Sequence, residues 1–276
     1  MSVIAMTREM ATNGSEVAAQ LAARLGLDII HHELVEHDIA EHAGLGESEV
    51  HRYLEGEASL YERWKIDRNR LSRYTALEIL ELAAKGNVLI RGWGATFLLR
   101  SVPHVICVRI CAPMEYREAV LMKRVGIASP SMARREIKRN DAAHNGTIQR
   151  MFGADWEDPT LYAIVLNTAR VPVSDCVEQI VHLAGSTTFE ATIRSLAALK
   201  DQLIAARATA ALERAYGPQS LHYGFEVEVR DAHVVLSGAA TDTNVIADAV
   251  RLVRAVEGVR SVESRVEHVG FVPHFN

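Results

Sequence analysis

Ser2-Val-Ile-Ala-Met6, Thr7-Arg-Glu-Met-Ala-Thr-Asn-Gly-Ser15 and Glu16-Val-Ala-Ala-Gln-Leu-Ala-Ala-Arg-Leu25 follow one another at the start of the chain. The first is a short apolar run, long enough for one buried strand. The second is a polar loop. The third places Val17, Leu21 and Leu25 on one face of a helix, which Gly26 ends. A strand, loop and helix in this order bring backbone N–H groups together at a helix N-terminus, a natural place for an anion.

Working outward, the same alternation repeats. Asp28-Ile-Ile30 reads as a second short strand, and His32 to about Leu54 as a polar helical stretch. Tyr61 to Lys85 is helical, with Leu71, Leu77, Leu80 and Leu82 at core spacings, and Gly86-Asn87 stops it. Val88-Leu-Ile90 is a strand followed by Gly92 and Gly94. Val105 to Ile110 is another strand, followed by a helix over Met114 to Val125. Ala163 to Leu166 and Val173 to Leu183 supply the last strand and helix of this part. Such a rhythm predicts a parallel sheet with helices on both faces, and ligands at the carboxyl ends of its strands.

Gly185-Ser-Thr-Thr188 reads as a linker, and the pattern changes after it. A long helix, Phe189 to Tyr216, precedes the alternating strand Phe225-Glu-Val-Glu-Val229. Asp231-Ala-His233 is a tight turn into Val234-Val-Leu236. A helix over Asn244 to Val256 and a strand over Val259 to Val269 complete a small α+β module.

With 276 residues, 49% of them hydrophobic, the chain has material for two cores. Its net charge of −5 and the lack of a basic domain argue against a nucleic-acid partner. Three cysteines, Cys107, Cys111 and Cys176, do not make a disulfide framework. The start of the chain has no signal-peptide pattern, and no run approaches membrane-spanning length, so the expected compartment is the cytoplasm. His31, His32, His37 and His42 cluster without metal-ligand spacing. Trp64 and Trp156 suit core packing better than base stacking.

Against the common phosphate loop G-x-x-x-x-G-K-[ST], Arg8 stands at the first glycine, Asn13 at the second, Gly14 at the lysine, and Ser15 keeps the hydroxyl. Other segments carry a fuller likeness. They are Thr7-Arg8-Glu9 with Gly14, Ala84-Lys-Gly-Asn-Val-Leu-Ile90 with Gly92-x-Gly-Ala95, and Cys111-Ala-Pro-Met-Glu-Tyr-Arg117. The most specific is Gly153-Ala-Asp-Trp-Glu-Asp-Pro159 with Tyr162 and Asn167-Thr168. Over about residues 2–183 the chain resembles the cytidylate-kinase-like family, of the P-loop nucleoside monophosphate kinase type. It departs from that pattern at Ala11 and Asn13, where the family has glycine. It also departs at His31 and Ala163 (family Asp), and at Trp93 and His144 (family Arg).

The module over about 190–269 resembles the BON family in Phe225–Val229, Val234-Val-Leu-Ser-Gly238 and Val256-Glu-Gly-Val-Arg-Ser-Val262. That family is linked to phospholipid surfaces or other hydrophobic ligands. This copy lacks a basic amphipathic helix, so a protein partner or a homo-oligomer is an equal expectation. The expected domains are 1–184, a linker over 185–189, 190–269, and a tail over 270–276.

The resemblance implies a nucleotide-binding kinase that uses ATP and Mg²⁺ and phosphorylates a nucleoside monophosphate or similar small acceptor. Arg8, Arg134, Arg135 and Arg139 would act on the transferring phosphate, the last three from a lid. Thr12, Asn13, Gly14, Ser15 and Glu16 would hold the donor phosphates, with Ser15 reaching Mg²⁺. Asn167, Thr168 and Arg170 would flank the adenine. His31, Arg91, Trp93 and Asp141 would line the acceptor's pocket. The alternative is a catalytically degenerate nucleotide sensor or scaffold, signalling through the BON-like module.

Overall fold

The computed structural model describes residues 1–30, 39–40, 45–54, 68–92, 94–126, 128–217 and 223–270. The chain divides into two compact units, Met1–Thr192 and Ile193–Asn276.

In the first unit, β1 (Val3–Arg8), α1 (Gly14–Leu25) and β2 (Asp28–Ile30) are followed by α2 (Glu47–Leu54) and α3 (Arg68–Lys85). Then come β3 (Val88–Arg91), α4 (Ala95–Leu99), β4 (Val105–Cys111), α5 (Met114–Val125) and α6 (Pro130–Phe152). β5 (Ile164–Asn167) and α7 (Val173–Ala184) complete it. The sheet is parallel, with order β2-β3-β1-β4-β5. β1 is therefore central and buried almost end to end, as parallel strands covered on both faces must be.

The period of two sorts its side chains. Ile4 and Met6 join Ile106, Val108 and Ile110 in a core closed by Val17 and Leu21 of α1 and Val177 and Ile180 of α7. The residues between them face the other way, where the Cys107 thiol donates to the Thr96 carbonyl of α4 at 3.4 Å. Helices thus cover both faces. Phe189, expected at the end of the linker, packs on the first unit's core.

The main departure from the sequence expectation is α6. Only its basic first part, up to Arg139, stands out in the sequence, yet one 23-residue helix runs on to Phe152. Its buried residues are few (Ala133, Ile137, Thr147 and Ile148), so the apolar period is faint. Proline fits its first turn because the N–H it lacks has no intrahelical partner there.

The second unit contains α8 (Ile193–Tyr216), β6 (Glu226–Arg230), β7 (His233–Ala240), α9 (Thr243–Arg254) and β8 (Ser261–His268). β6 and β7 form an antiparallel hairpin, and β8 lies parallel to β7. The hairpin turns on Asp231 and Ala232, both at positive φ, the two-residue geometry that matches strand twist. Asp201 of α8 accepts from both turn N–H groups, at 2.7 and 2.8 Å. One apolar cluster, including Ile204, Leu212, Val234, Leu236, Ala249 and Val253, joins the sheet to both helices. A self-contained core predicts that residues 186–276, expressed alone, unfold in one cooperative thermal transition. Its midpoint should be modest for so small a core. A random-coil circular dichroism spectrum without a transition would refute this.

Candidate functional site

The carboxyl ends of β1, β3, β4 and β5 converge where a parallel sheet presents its ligands. The loop after β1 is held open by its neighbours. Glu9 N donates to the Ile110 carbonyl at 3.0 Å, and Glu16 N and Val17 N donate to the Asn13 carbonyl. Between them, the N–H groups of residues 10–15 have no backbone acceptor among the described residues. Asn13, the residue before α1, makes no side-chain cap. The first turn of α1 therefore carries uncapped N–H groups and the positive end of the helix dipole. Glu16, exposed in that turn, opposes an anion.

Ala11 and Asn13 have φ of 61° and 56°. These are the two positions where the resemblance expects glycine, and the left-handed conformation explains that expectation. Asparagine tolerates it. The Asn13 amide also donates to the Tyr116 hydroxyl at 3.1 Å. Alanine bears a cost of about 1 kcal/mol or more. Its methyl compensates by packing in a buried cluster with Leu121 of α5 and Ala133 and Ile137 of α6, a gain of about 0.8 kcal/mol.

At Gly14, a Cβ would lie 2.8 Å from Arg8 Cδ and 2.9 Å from Arg8 Cβ. The Arg8 side chain thus crosses the place where the common loop's lysine would start. Ser15 is exposed beside it, and Thr12 is buried. The Thr12 hydroxyl donates to the Glu9 carbonyl at 2.8 Å, and its own carbonyl accepts from the Thr168 hydroxyl at 2.7 Å.

Beneath the loop lies a buried charge network. Glu9 accepts from Arg109 Nη2 at 2.6 Å and from Ala112 N at 3.0 Å, and Arg117 Nη1 lies 3.4 Å from it. Arg117 donates to the Met10 carbonyl at 2.8 Å and to both oxygens of Asp141, at 2.9 and 2.6 Å. The Arg109 guanidinium sits 5.3 Å from the centre of the Trp156 ring. Trp156 Nε1 donates to the Thr7 hydroxyl at 2.8 Å, and the Trp156 carbonyl accepts from Tyr162 at 2.8 Å. The His144 ring is 4.4 Å from the Trp156 ring. Burial, together with Arg8 and Arg109 and against the pull of Asp141, pushes His144 down to about 4, so it is neutral at pH 7.

The structure gathers some of the expected site residues and disperses others. Arg8, Thr12, Asn13, Gly14 and Ser15 form one loop, and Thr168 is bonded to it. Asn167 accepts from Ala169 N at 3.0 Å, and Arg170 is exposed. Arg91 ends β3. Arg134 pairs with Glu118 and Glu115, Arg139 pairs with Glu136, and Arg135 is exposed. Asp141 is bound to Arg117. His31 and Trp93 lie outside the described residues, as do His32, His37, His42 and Trp64. Trp156 is in the core, as its sequence context suggested.

Sequence reasoning missed the supporting roles of Glu9, Arg109 and Arg117. A signal was present, because Arg109 interrupts the apolar run Val105–Cys111, and a charge in a buried strand requires a partner.

Among the described residues no three His, Cys, Asp or Glu side chains gather to hold a metal. The open N–H groups and Arg8 suit phosphate oxygens, and the Ser15 hydroxyl suits a metal ion carried in with them.

The parallel sheet and its strand–loop–helix order define a kinase-like nucleotide-binding fold. A family model described as the cytidylate kinase-like family matches residues 3–170, and the chain belongs to that family. A BON domain model matches residues 200–269. A cytidylate kinase of Pyrobaculum aerophilum is 25% identical over 177 residues, which are 64% of this chain and 89% of the relative. One of Methanopyrus kandleri is 26% identical over 162 residues, covering 56% and 78%. Among solved structures, an uncharacterized protein from Eubacterium ventriosum matches with a TM-score of 0.52 and 18% identity. That match covers 66% of this chain and 97% of the other and supports the fold alone.

Proposed function

We propose that the first unit binds ATP through the loop of residues 8–15 and transfers its terminal phosphoryl group to a nucleoside monophosphate or similar small acceptor. The observation that carries this reading is the run of N–H groups at residues 10–15 without backbone acceptors among the described residues, at the uncapped start of α1.

In this reading the loop N–H groups orient the donor phosphates. Arg8 supplies the cationic charge that the missing lysine would bring. Mg²⁺, when bound, would neutralise charge on the phosphate oxygens, and the Ser15 hydroxyl is the chain's ligand for it. Arg135 closes from the basic start of α6, and Arg134 joins it by exchanging Glu118 and Glu115 for phosphate. Phosphoryl transfer depends mainly on such positioning and charge neutralisation. The adenine lies near Asn167–Arg170, and the acceptor lies by Arg91, which ends β3.

Glycine in the lysine position favours a second reading, a nucleotide sensor without turnover that works through the second unit. Calorimetry with ATP, followed by an assay of phosphate transfer across a panel of nucleotides, separates the two. Arg8→Ala is expected to lower turnover by roughly 100-fold or more with little change in the unfolding midpoint. Equal activity in variant and wild type would exclude the catalytic role of Arg8. Failure of the wild type to bind ATP would remove both readings.

A further inference from the structure

Arg117 is 4% exposed and commits its guanidinium to two elements. On one side it holds the phosphate loop, through the Met10 carbonyl and the Glu9 carboxylate. On the other it grips both carboxylate oxygens of Asp141 on α6. The same helix carries Arg134, Arg135, Arg139 and His144. Apolar packing of Ala11 against Ala133 and Ile137 joins the same two elements. A fork with two parallel N–H···O bonds fixes orientation as well as distance. The two carboxylates, Glu9 and Asp141, balance the two guanidiniums, Arg109 and Arg117. The network therefore brings no net charge to a polyanion.

We infer that Arg117 and Asp141 are a positioning pair, which registers α6 against the phosphate loop in the form that accepts a polyphosphate. Asp141 acts through Arg117 and does not touch the nucleotide. The family resemblance puts Asp141 in the acceptor's pocket, but both of its oxygens are engaged by Arg117. The inference rests on the phosphate site proposed above.

The test measures tripolyphosphate binding to the full chain by calorimetry, for the wild type, Asp141→Asn and Asp141→Glu. Each is measured well below its own unfolding midpoint, so that lost stability alone cannot alter the affinity. Coulomb attraction by itself predicts that removing a negative charge strengthens the binding of a polyanion. Positioning predicts the opposite sign. Asp141→Asn should bind at least roughly tenfold more weakly, and Asp141→Glu should stay within about threefold of the wild type. Binding by Asp141→Asn that is equal to or tighter than the wild type's would overturn the positioning pair and leave the phosphate site standing. A wild type that does not bind tripolyphosphate would remove the site itself, and the inference with it.

Discussion

Glu9→Gln is expected to destabilise the first unit by about 3–5 kcal/mol, lowering its thermal midpoint by on the order of 10 °C. Glu9 is 9% exposed, and Arg109 and Arg117 are 6% and 4% exposed. Neutralising the carboxylate leaves two buried guanidiniums facing one remaining carboxylate, Asp141. Arg109 is affected most, because its ion pair at 2.6 Å disappears and the Trp156 ring beside it offers no negative charge in exchange. A glutamine carbonyl still accepts from Ala112 N, so the loss is of charge compensation more than of hydrogen bonding. All three tryptophans, Trp64, Trp93 and Trp156, belong to the first unit. Tryptophan fluorescence during urea unfolding of the full chain therefore reports this unit alone. A loss below about 1 kcal/mol, the range of exposed ion pairs, would mean that the network is hydrated and that its burial has been misread.

Gly14→Lys, which restores the common loop's lysine, is expected to impair ATP binding instead of improving it. The new Cβ would meet both Cδ and Cβ of Arg8 inside 3 Å. Cδ can swing away, but Cβ is fixed to the backbone of β1, so the loop itself must move. Overpacking of this kind costs about 1–3 kcal/mol. The displaced atoms belong to the proposed phosphate cradle, so ATP affinity should fall by roughly tenfold or more. The double variant Arg8→Gly, Gly14→Lys removes the obstruction and returns the cation to the lysine position. It should recover most of the affinity lost by the single variant. Calorimetry on the four proteins of this cycle gives the coupling directly. Affinity in Gly14→Lys at or above the wild-type value would refute the exchange between positions 8 and 14.

The first unit's fold was legible in the sequence because its central strands, β1, β3 and β4, are short, apolar and buried. Val3–Met6, Val88–Ile90 and Val105–Ile110 leave little choice of conformation. Glycine at 26, 86 and 153 marks helix ends or turns at positive φ. The later part of α6 was not legible, because a helix that rests on Ala133, Ile137, Thr147 and Ile148 shows mostly polar residues. The phosphate loop could be located from its strand–loop–helix order. Its supports could not be found that way, because the partners of Glu9 and Met10, Arg109 and Arg117, are remote in sequence. Asp141 illustrates the difference: its motif indicates a place near substrate, and its observed partner is Arg117, which no local pattern pairs with it.

That remoteness has a kinetic consequence. The bonds that shape the loop join residues 100 to 156 positions apart: Glu9 to Arg109, Met10 to Arg117, Thr7 to Trp156 and Thr12 to Thr168. Long-range contacts of this kind require large loops to close and tend to form late. The cradle thus appears only after β4 has joined β1 and the segment after α6 has come in. If the proposed site holds a nucleotide, a chain still folding has no place for it, and once bound it acts as a brake on opening, slowing unfolding while leaving the rate of folding almost untouched.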